Sequence, residues 1–184
     1  MAGVCSLCHP KTEEIVREAH YWRIIANQDQ NLLGKCFIAL NRHEEDLFHL
    51  RQPELDELWS LAAKVREALR ELFQADHFNF AFLGNNDRHL HMHAVPRYRG
   101  TRFFAGLVFD DKAWGHHYDL IPRRVPPEVA AQLVAAMKEK LAPLLAKPEK
   151  RRAIGKSEKP KGRLKKAAKP KAKRSTKGPK KRRR

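Results

Sequence analysis

His89, His91 and His93 alternate with Leu90, Met92 and Ala94 in the run HLHMHAV. An extended chain sends successive side chains to opposite faces. The spacing therefore predicts three imidazoles on one accessible face and an apolar face packed on a core. Same-face neighbours on a strand stand about 7 Å apart, close enough to share one substrate group and too far for direct ring-to-ring bonding. Imidazole suits phosphoryl chemistry, because one nitrogen can attack while the other keeps its hydrogen on a carbonyl and so fixes the tautomer. With an ordinary pKa of about 6.5 the ring is largely neutral and nucleophilic at neutral pH. A second histidine can donate to phosphate oxygens or to a leaving group. Zinc ligation is a competing use of the same residues, and a merely structural row of histidines is the plain alternative. Three at strict period two, bracketed by apolar residues, favour a functional site.

The elements that must position this strand can be read around it. YWRIIA (Tyr21 to Ala26) and KCFIALN (Lys35 to Asn41) have the aromatic and β-branched character of strands. The polar turn Asn27–Asn31 and Gly34 separate them. In the second strand Cys36, Ile38 and Leu40 share one face, and Phe37 and Ala39 the other. Pro53 opens a long helix in which Leu55, Leu58, Trp59, Leu61, Ala62, Val65, Leu69 and Leu72 recur at steps of three and four, predicting a buried stripe. Proline in the first turn and acidic Glu54, Asp56 and Glu57 suit its start. FNFAFLG (Phe78 to Gly84) then alternates as a strand and pairs with HLHMHAV as a hairpin across Asn85, Asn86 and Asp87, with Pro96 as its stop. Residues 101–124 look mostly irregular, and Pro126 to Ala146 reads as a second helix with Val129, Leu133, Met137 and Leu141 on one face. The expected class is α+β.

The chain has 184 residues and a formal net charge of +17. Lys147 to Arg184 carries 20 Lys+Arg against only Glu149 and Glu158, whereas residues 1–146 hold 18 basic and 19 acidic residues. The sequence thus divides into a nearly neutral domain over 1–146 and a basic tail over 147–184. The tail has too little apolar surface to fold alone and is expected to be disordered. A Lys/Arg tract of this density attracts polyanions and implies sequence-independent, salt-sensitive affinity for nucleic acid. No apolar run approaches the roughly 20 residues that cross a bilayer, and MAGVCSLCHPKTEE lacks the pattern of a secretory signal. A cytoplasmic location is expected, nucleoid-associated if the tail meets DNA.

HLHMHAVPRY resembles the signature of the histidine triad (HIT) superfamily, three histidines alternating with apolar residues and followed by Pro-Arg. GKCFIALNRHEEDLFHL is similar to that family's Gly-His…His segment, at matching spacing to Gly34 and His43. The resemblance covers about residues 5–146, and with FDDKAWG it looks most like bacterial diadenosine polyphosphate hydrolases. It implies a HIT-like fold: an antiparallel sheet of about five strands, one long helix and one C-terminal helix. It also implies a two-step hydrolysis in which His91 forms a nucleotidyl-histidine and His93 bonds phosphate or bridging oxygens, with His89 completing the triad. Asn27 falls where relatives contact ribose, and a plain turn residue is its other reading. Asn85 or Asn86 would donate to phosphates, or serve the hairpin turn; Arg97 would make a phosphate or structural contact. Relatives are commonly homodimers. Lys35 stands where the family has His, Asn41 where Pro is common, and the phosphate-touching loop is shortened to GNNDR.

Cys5-x-x-Cys8 alone is a weak signal, and the βαβ context of a thioredoxin-type redox pair is missing. In relatives with this motif, two histidines complete a zinc site, and they map here to His43 and His89. A filled Cys2His2 set would be structural, with no position left for water. His49 competes for the role, whereas His116 and His117 read as loop residues. Two functions follow. The first is hydrolysis of dinucleoside polyphosphates or related nucleotidyl compounds. The second is a nucleic-acid-associated protein that acts on adenylated ends, or binds without catalysis.

Overall fold

The structure, a computed structural model, describes residues 5–117 and 121–146. The chain divides after Pro148, and the Lys/Arg-rich tail lies outside the described residues. Strands β1 (Ile15–Glu18), β2 (Trp22–Ala26), β3 (Cys36–Leu40), β4 (His77–Ala81) and β5 (His91–Arg97) form one sheet in the order β1-β2-β3-β5-β4. Every pairing is antiparallel. Helices α1 (Gln52–Phe73) and α2 (Pro127–Ala146) complete the α+β architecture that the patterning implies.

Alternation decides what each sheet face does. Trp22, Ile24, Cys36, Ile38, Leu40, Met92 and Ala94 enter one core with the α1 residues Leu58, Leu61, Val65 and Leu69. The opposite face carries Ile25, Phe37 and His93 in one cross-strand row, with Ala39 and His91 in the next. Leu133, Met137 and Leu141 of α2 reach the same core, as their spacing predicts. Two members of the expected α1 stripe do not: Trp59 is 59% exposed, and Leu55 is half-buried, both at the margin of the apolar arc.

One local expectation is corrected, the stop at Pro96, and two short elements had no clear signal in the sequence. The region 101–124 is mostly irregular, as expected, but within it β6 (Arg102–Phe104) and β7 (Leu107–Phe109) form a hairpin. Its turn residues Ala105 and Gly106 both have positive φ, 47° and 77°, the geometry of a two-residue hairpin turn. Alanine in the first position is not the Asn or Asp that usually signals it. β1 has no strong apolar run and forms because β2 offers it an edge. Pro96 does not stop the histidine strand. It pairs opposite Phe78 where β5 has run past its last partner on β3, Cys36 opposite Ala94, so the missing donor is tolerated at an edge.

Gly34 is the one glycine whose role is plain on both counts. It lies at φ +82°, and a Cβ there would come within 2.9 Å of the Phe73 ring. A tight turn into β3 and close packing on α1 both need the missing side chain. Among the described residues no helix is long and apolar enough to cross a membrane.

Candidate functional site

The histidine strand begins at His91, not at His89. His91 and His93 stand on the face of β5 away from the main core, opposite Ala39 and Phe37 of β3, with His91 buried and His93 half-buried. Small Ala39 leaves room for the His91 ring. Phe37 meets both imidazoles edge-on, at centroid distances of 5.1 and 4.7 Å. The two rings tilt together until their Nε2 atoms are 3.1 Å apart. The expected separation of about 7 Å is therefore corrected: that figure is the Cα spacing along a strand, and two long side chains can converge across it.

Hydrogen-bond partners fix the tautomers. His91 Nδ1 lies 2.6 Å from the carbonyl oxygen of His89, which can only accept, so Nδ1 carries the hydrogen and Nε2 is left with its lone pair. His93 then donates Nε2–H to His91 Nε2. Burial, followed by the proximity of His91 and then of Lys35, pushes the pKa of His93 down to about 4. His93 is thus a neutral hydrogen-bond donor at physiological pH.

His89 departs from the row because its ring turns away from the strand face. Its Nε2–H donates to the Leu40 carbonyl at 2.7 Å, which leaves Nδ1 bare and pointing at the thiols. Nδ1 lies 3.4 Å from Cys5 Sγ and 3.5 Å from Cys8 Sγ, and His43 Nδ1 lies 3.5 Å from Cys8 Sγ. All four donor atoms fall within 4.8 Å of one another. With ordinary Zn–S and Zn–N bonds, a tetrahedral ion spaces sulfur and nitrogen about 3.6 Å apart. The residues fit a closed structural Cys2His2 zinc site, and the bond from His89 to Leu40 is the orienting contact that metal-ligating histidines usually make. Zinc there would tie the N-terminal loop to β5 and to the segment after β3. His49 is not a ligand: it bonds Glu44 at 3.3 Å, with its side chain 67% exposed.

His43 is held in reach by its neighbour. Arg42 donates to Glu54 at 2.9 Å and to Glu44 at 3.0 Å, and Arg51 donates to the same Glu54 at 2.7 Å. Glu54 is buried, and these guanidinium contacts hold its carboxyl far below the usual carboxylate range. Its sequence role as a helix-start residue is real, since it also accepts from the Arg51 backbone N–H. The loop-anchoring role depends on Arg42, ten residues before α1 opens at Gln52, and was not visible locally.

A cavity of about 470 Å³ opens beside Phe37, lined among others by Leu7, Ile25, Asn27, Asp29 and Arg124. Asn27 takes the turn role, one of its two expected readings. Its Oδ1 accepts from the Asp29 N–H at 2.9 Å, an Asx turn, and the residue also borders the cavity. Lys35 is buried and donates to Asp29 at 2.5 Å and Asn31 at 2.9 Å, stiffening that turn. Asp29 in turn accepts from the Arg123 N–H at 2.7 Å. Asn85 and Asn86 are exposed on the loop between β4 and β5 and do not line this cavity. Arg97 is only 4% exposed, and its fork is taken up by Asp111, Asn79 and the carbonyls of Ala113 and His116. Of its two expected roles, the structure shows the structural one. Leu7 and Lys35 were not named as site residues from sequence; an isolated leucine in a loop carries no periodic signal.

Comparison with known proteins agrees with this geometry. The family model described as "HIT domain" matches residues 10–100. Among solved structures, a histidine triad nucleotide-binding protein from Sulfolobus tokodaii is 19% identical with a TM-score of 0.59, covering 76% of this chain and 93% of its own. A histidine triad protein from Marinobacter aquaeolei is 21% identical with a TM-score of 0.56, covering 71% and 91%. A zinc-bound histidine triad family protein from Mycobacterium smegmatis is 18% identical with a TM-score of 0.54, covering 75% and 90%. No curated protein matches the chain. Residues 10–100 thus match the HIT domain model over just under half of the chain, and the five-stranded sheet has the fold of these histidine triad structures.

Proposed function

We propose that this domain hydrolyses dinucleoside polyphosphates or related nucleotidyl compounds through a covalent intermediate on His91. The observation that carries the reading is the His89 carbonyl on His91 Nδ1, which leaves an unprotonated Nε2 on a ring that borders a cavity of about 260 Å³, while Phe37 beside it borders the one of about 470 Å³. His91 Nε2 attacks the α-phosphorus, forming a P–N bond as the bond to the leaving oxygen breaks. Water then attacks the same phosphorus, its proton goes to solvent, and His91 leaves with its Nδ1–H intact. His93 must turn its Nε2–H from His91 to a phosphate oxygen, which frees the attacking lone pair. Asn27, which borders the cavity, would meet the ribose.

The low pKa of His93 bears on the leaving group. A neutral imidazole donates a hydrogen bond but holds no spare proton for an alkoxide or amine. That favours a leaving group already acidic at neutral pH, such as a phosphate or nucleoside polyphosphate. Diadenosine polyphosphates of different chain length should accordingly release a nucleoside monophosphate that carries one ¹⁸O in labelled water. An alkaline quench during turnover should show a nucleotidyl adduct on the peptide containing His91. Failure to release a monophosphate from any member of such a panel defeats the proposal.

A second reading rests on the charge segregation, with 20 Lys+Arg against two Glu between 147 and 184. The tail would hold the domain on nucleic acid by counterion release, bringing the site to adenylated ends. Removing residues 147–184 should abolish duplex binding at low salt and flatten its salt dependence. Equal affinity with and without the segment refutes this role.

A further inference from the structure

Arg97 lies four residues past His93, on the same face of β5, with His77 opposite it on β4. Its buried guanidinium donates to the carbonyls of Ala113 and His116, at 2.7 and 3.0 Å. The segment that carries Trp114 is thus clamped on both sides of that ring, and Gly115, at φ +85°, makes the turn between the clamps. Trp114 is half-buried, and the Arg99 guanidinium lies 5.4 Å from its ring centroid. The Arg99 backbone N–H donates to Asp76 at 2.9 Å, which fixes the root of that side chain. Together with His77, Asn79 and His116 these residues border a cavity of about 320 Å³. His91 and His93 do not border it. At about 3.3 Å of rise per residue, Arg97 stands roughly 13 Å along the strand from His93.

The cavity presents unused donors. Among the described residues no acceptor meets the Arg99 guanidinium, the rings of His77 and His116, or the amide nitrogen of Asn79. The Asn79 Oδ1 already accepts from Arg97 at 2.8 Å, which turns the amide's identity to donor for anything else that binds. The neighbouring charges are otherwise balanced. Arg97 is paired with Asp111 at 2.6 Å, and Asp76, the acid on the rim, with Arg102 at 3.0 Å. The Arg99 cation is left over. A guanidinium lying on an indole keeps its N–H fork for a pair of oxygens. A tetrahedral oxyanion can meet that fork and the β4 donors at once, whereas a planar carboxylate fills the fork alone. We infer that this cavity is a second ligand site, apart from the histidine pair, that binds a phosphate group through Arg99 and Asn79. Such a site stands whether or not the histidines hydrolyse nucleotides.

The test follows the Trp114 indole N–H of the full chain by NMR at constant ionic strength, the signal being assigned by its loss in Trp114→Phe. Inorganic phosphate should move it saturably. The Trp22 indole, buried and bonded to the Glu54 carbonyl, should stay in place and report an intact fold in every variant. Arg99→Gln should weaken phosphate about tenfold or more, because hydrogen bonds to a charged partner are lost. Arg99→Lys keeps the charge without the fork and should recover only part of that loss. Asn79→Asp keeps an acceptor for Arg97 but sets a carboxylate where the amide donates, and should weaken phosphate at least as much. Ribose 5-phosphate, run beside inorganic phosphate, separates the two sources: tighter binding of the ester marks an esterified ligand, and the reverse marks the free anion. Acetate should bind more weakly than either. A Trp114 signal that phosphate leaves unmoved, that responds alike in the parent and Arg99→Gln, or that acetate moves at the same concentrations, overturns the site.

Discussion

Replacing His91 by Asn is expected to lower turnover of a diadenosine polyphosphate by about 10⁴-fold or more, with the thermal midpoint changed by only a few degrees. The size follows from loss of the nucleophile itself, since residues acting as one covalent unit cost nearly the whole rate enhancement when one is removed. The mild effect on stability follows from the surroundings of the ring. His91 sits opposite Ala39 on the sheet face away from the main apolar core. An Asn side-chain amide can keep the hydrogen bond to the His89 carbonyl that Nδ1 makes now. His93, freed of its partner, still reaches phosphate. AMP should therefore bind the variant nearly as well as the parent, and no covalent adduct should form. Turnover within tenfold of the parent, measured on protein with native circular dichroism, removes His91 from the role of nucleophile.

The second large effect concerns the metal. Cys8→Ser should strip the chain of one zinc per molecule and lower the thermal midpoint by about 10–15 °C. Structural zinc contributes several kcal/mol to folding when its ligands come from separate segments, and each kcal/mol moves the midpoint of a domain this size by about 2–4 °C. Here the donors come from the N-terminal loop, the segment after β3 and the residue two before His91. Loss of the ion frees three pieces of chain at once. The loss should also reach the chemistry, because the carbonyl that orients His91 belongs to the ligand His89. A chain isolated under reducing conditions without zinc, with both thiols freely titratable and an unchanged midpoint, would remove the metal from the account. His49→Ala should alter neither metal content nor midpoint, since that ring pairs with Glu44 instead.

Much of the fold was legible because its signals are local. The period of two in HLHMHAV and KCFIALN separates core from open face, and Met92, Ala94, Cys36 and Ile38 are all found in the core. The period near 3.6 in both helices likewise places Leu58, Leu69, Leu133 and Met137. Trp59 escaped because periodicity locates an arc and not its margin. The β6–β7 hairpin escaped because its turn depends on a backbone conformation at Ala105 that alanine seldom announces.

The amino-acid sequence by itself singled out the candidate residues: imidazoles at period two, a Cys-x-x-Cys pair, and a charge boundary at Lys147. Only the tertiary structure decided how those residues are shared out. Strand β5 starts two residues later than the histidine pattern does, so His89 turns to the thiols while His91 and His93 close to 3.1 Å. Leu7 meets Ile25 and Ala39 across long stretches of chain. Alternation is a property of neighbouring backbone torsions and can be read along the chain. Ring orientation, ligand sets and cavity walls depend on contacts between distant segments, which no local pattern encodes.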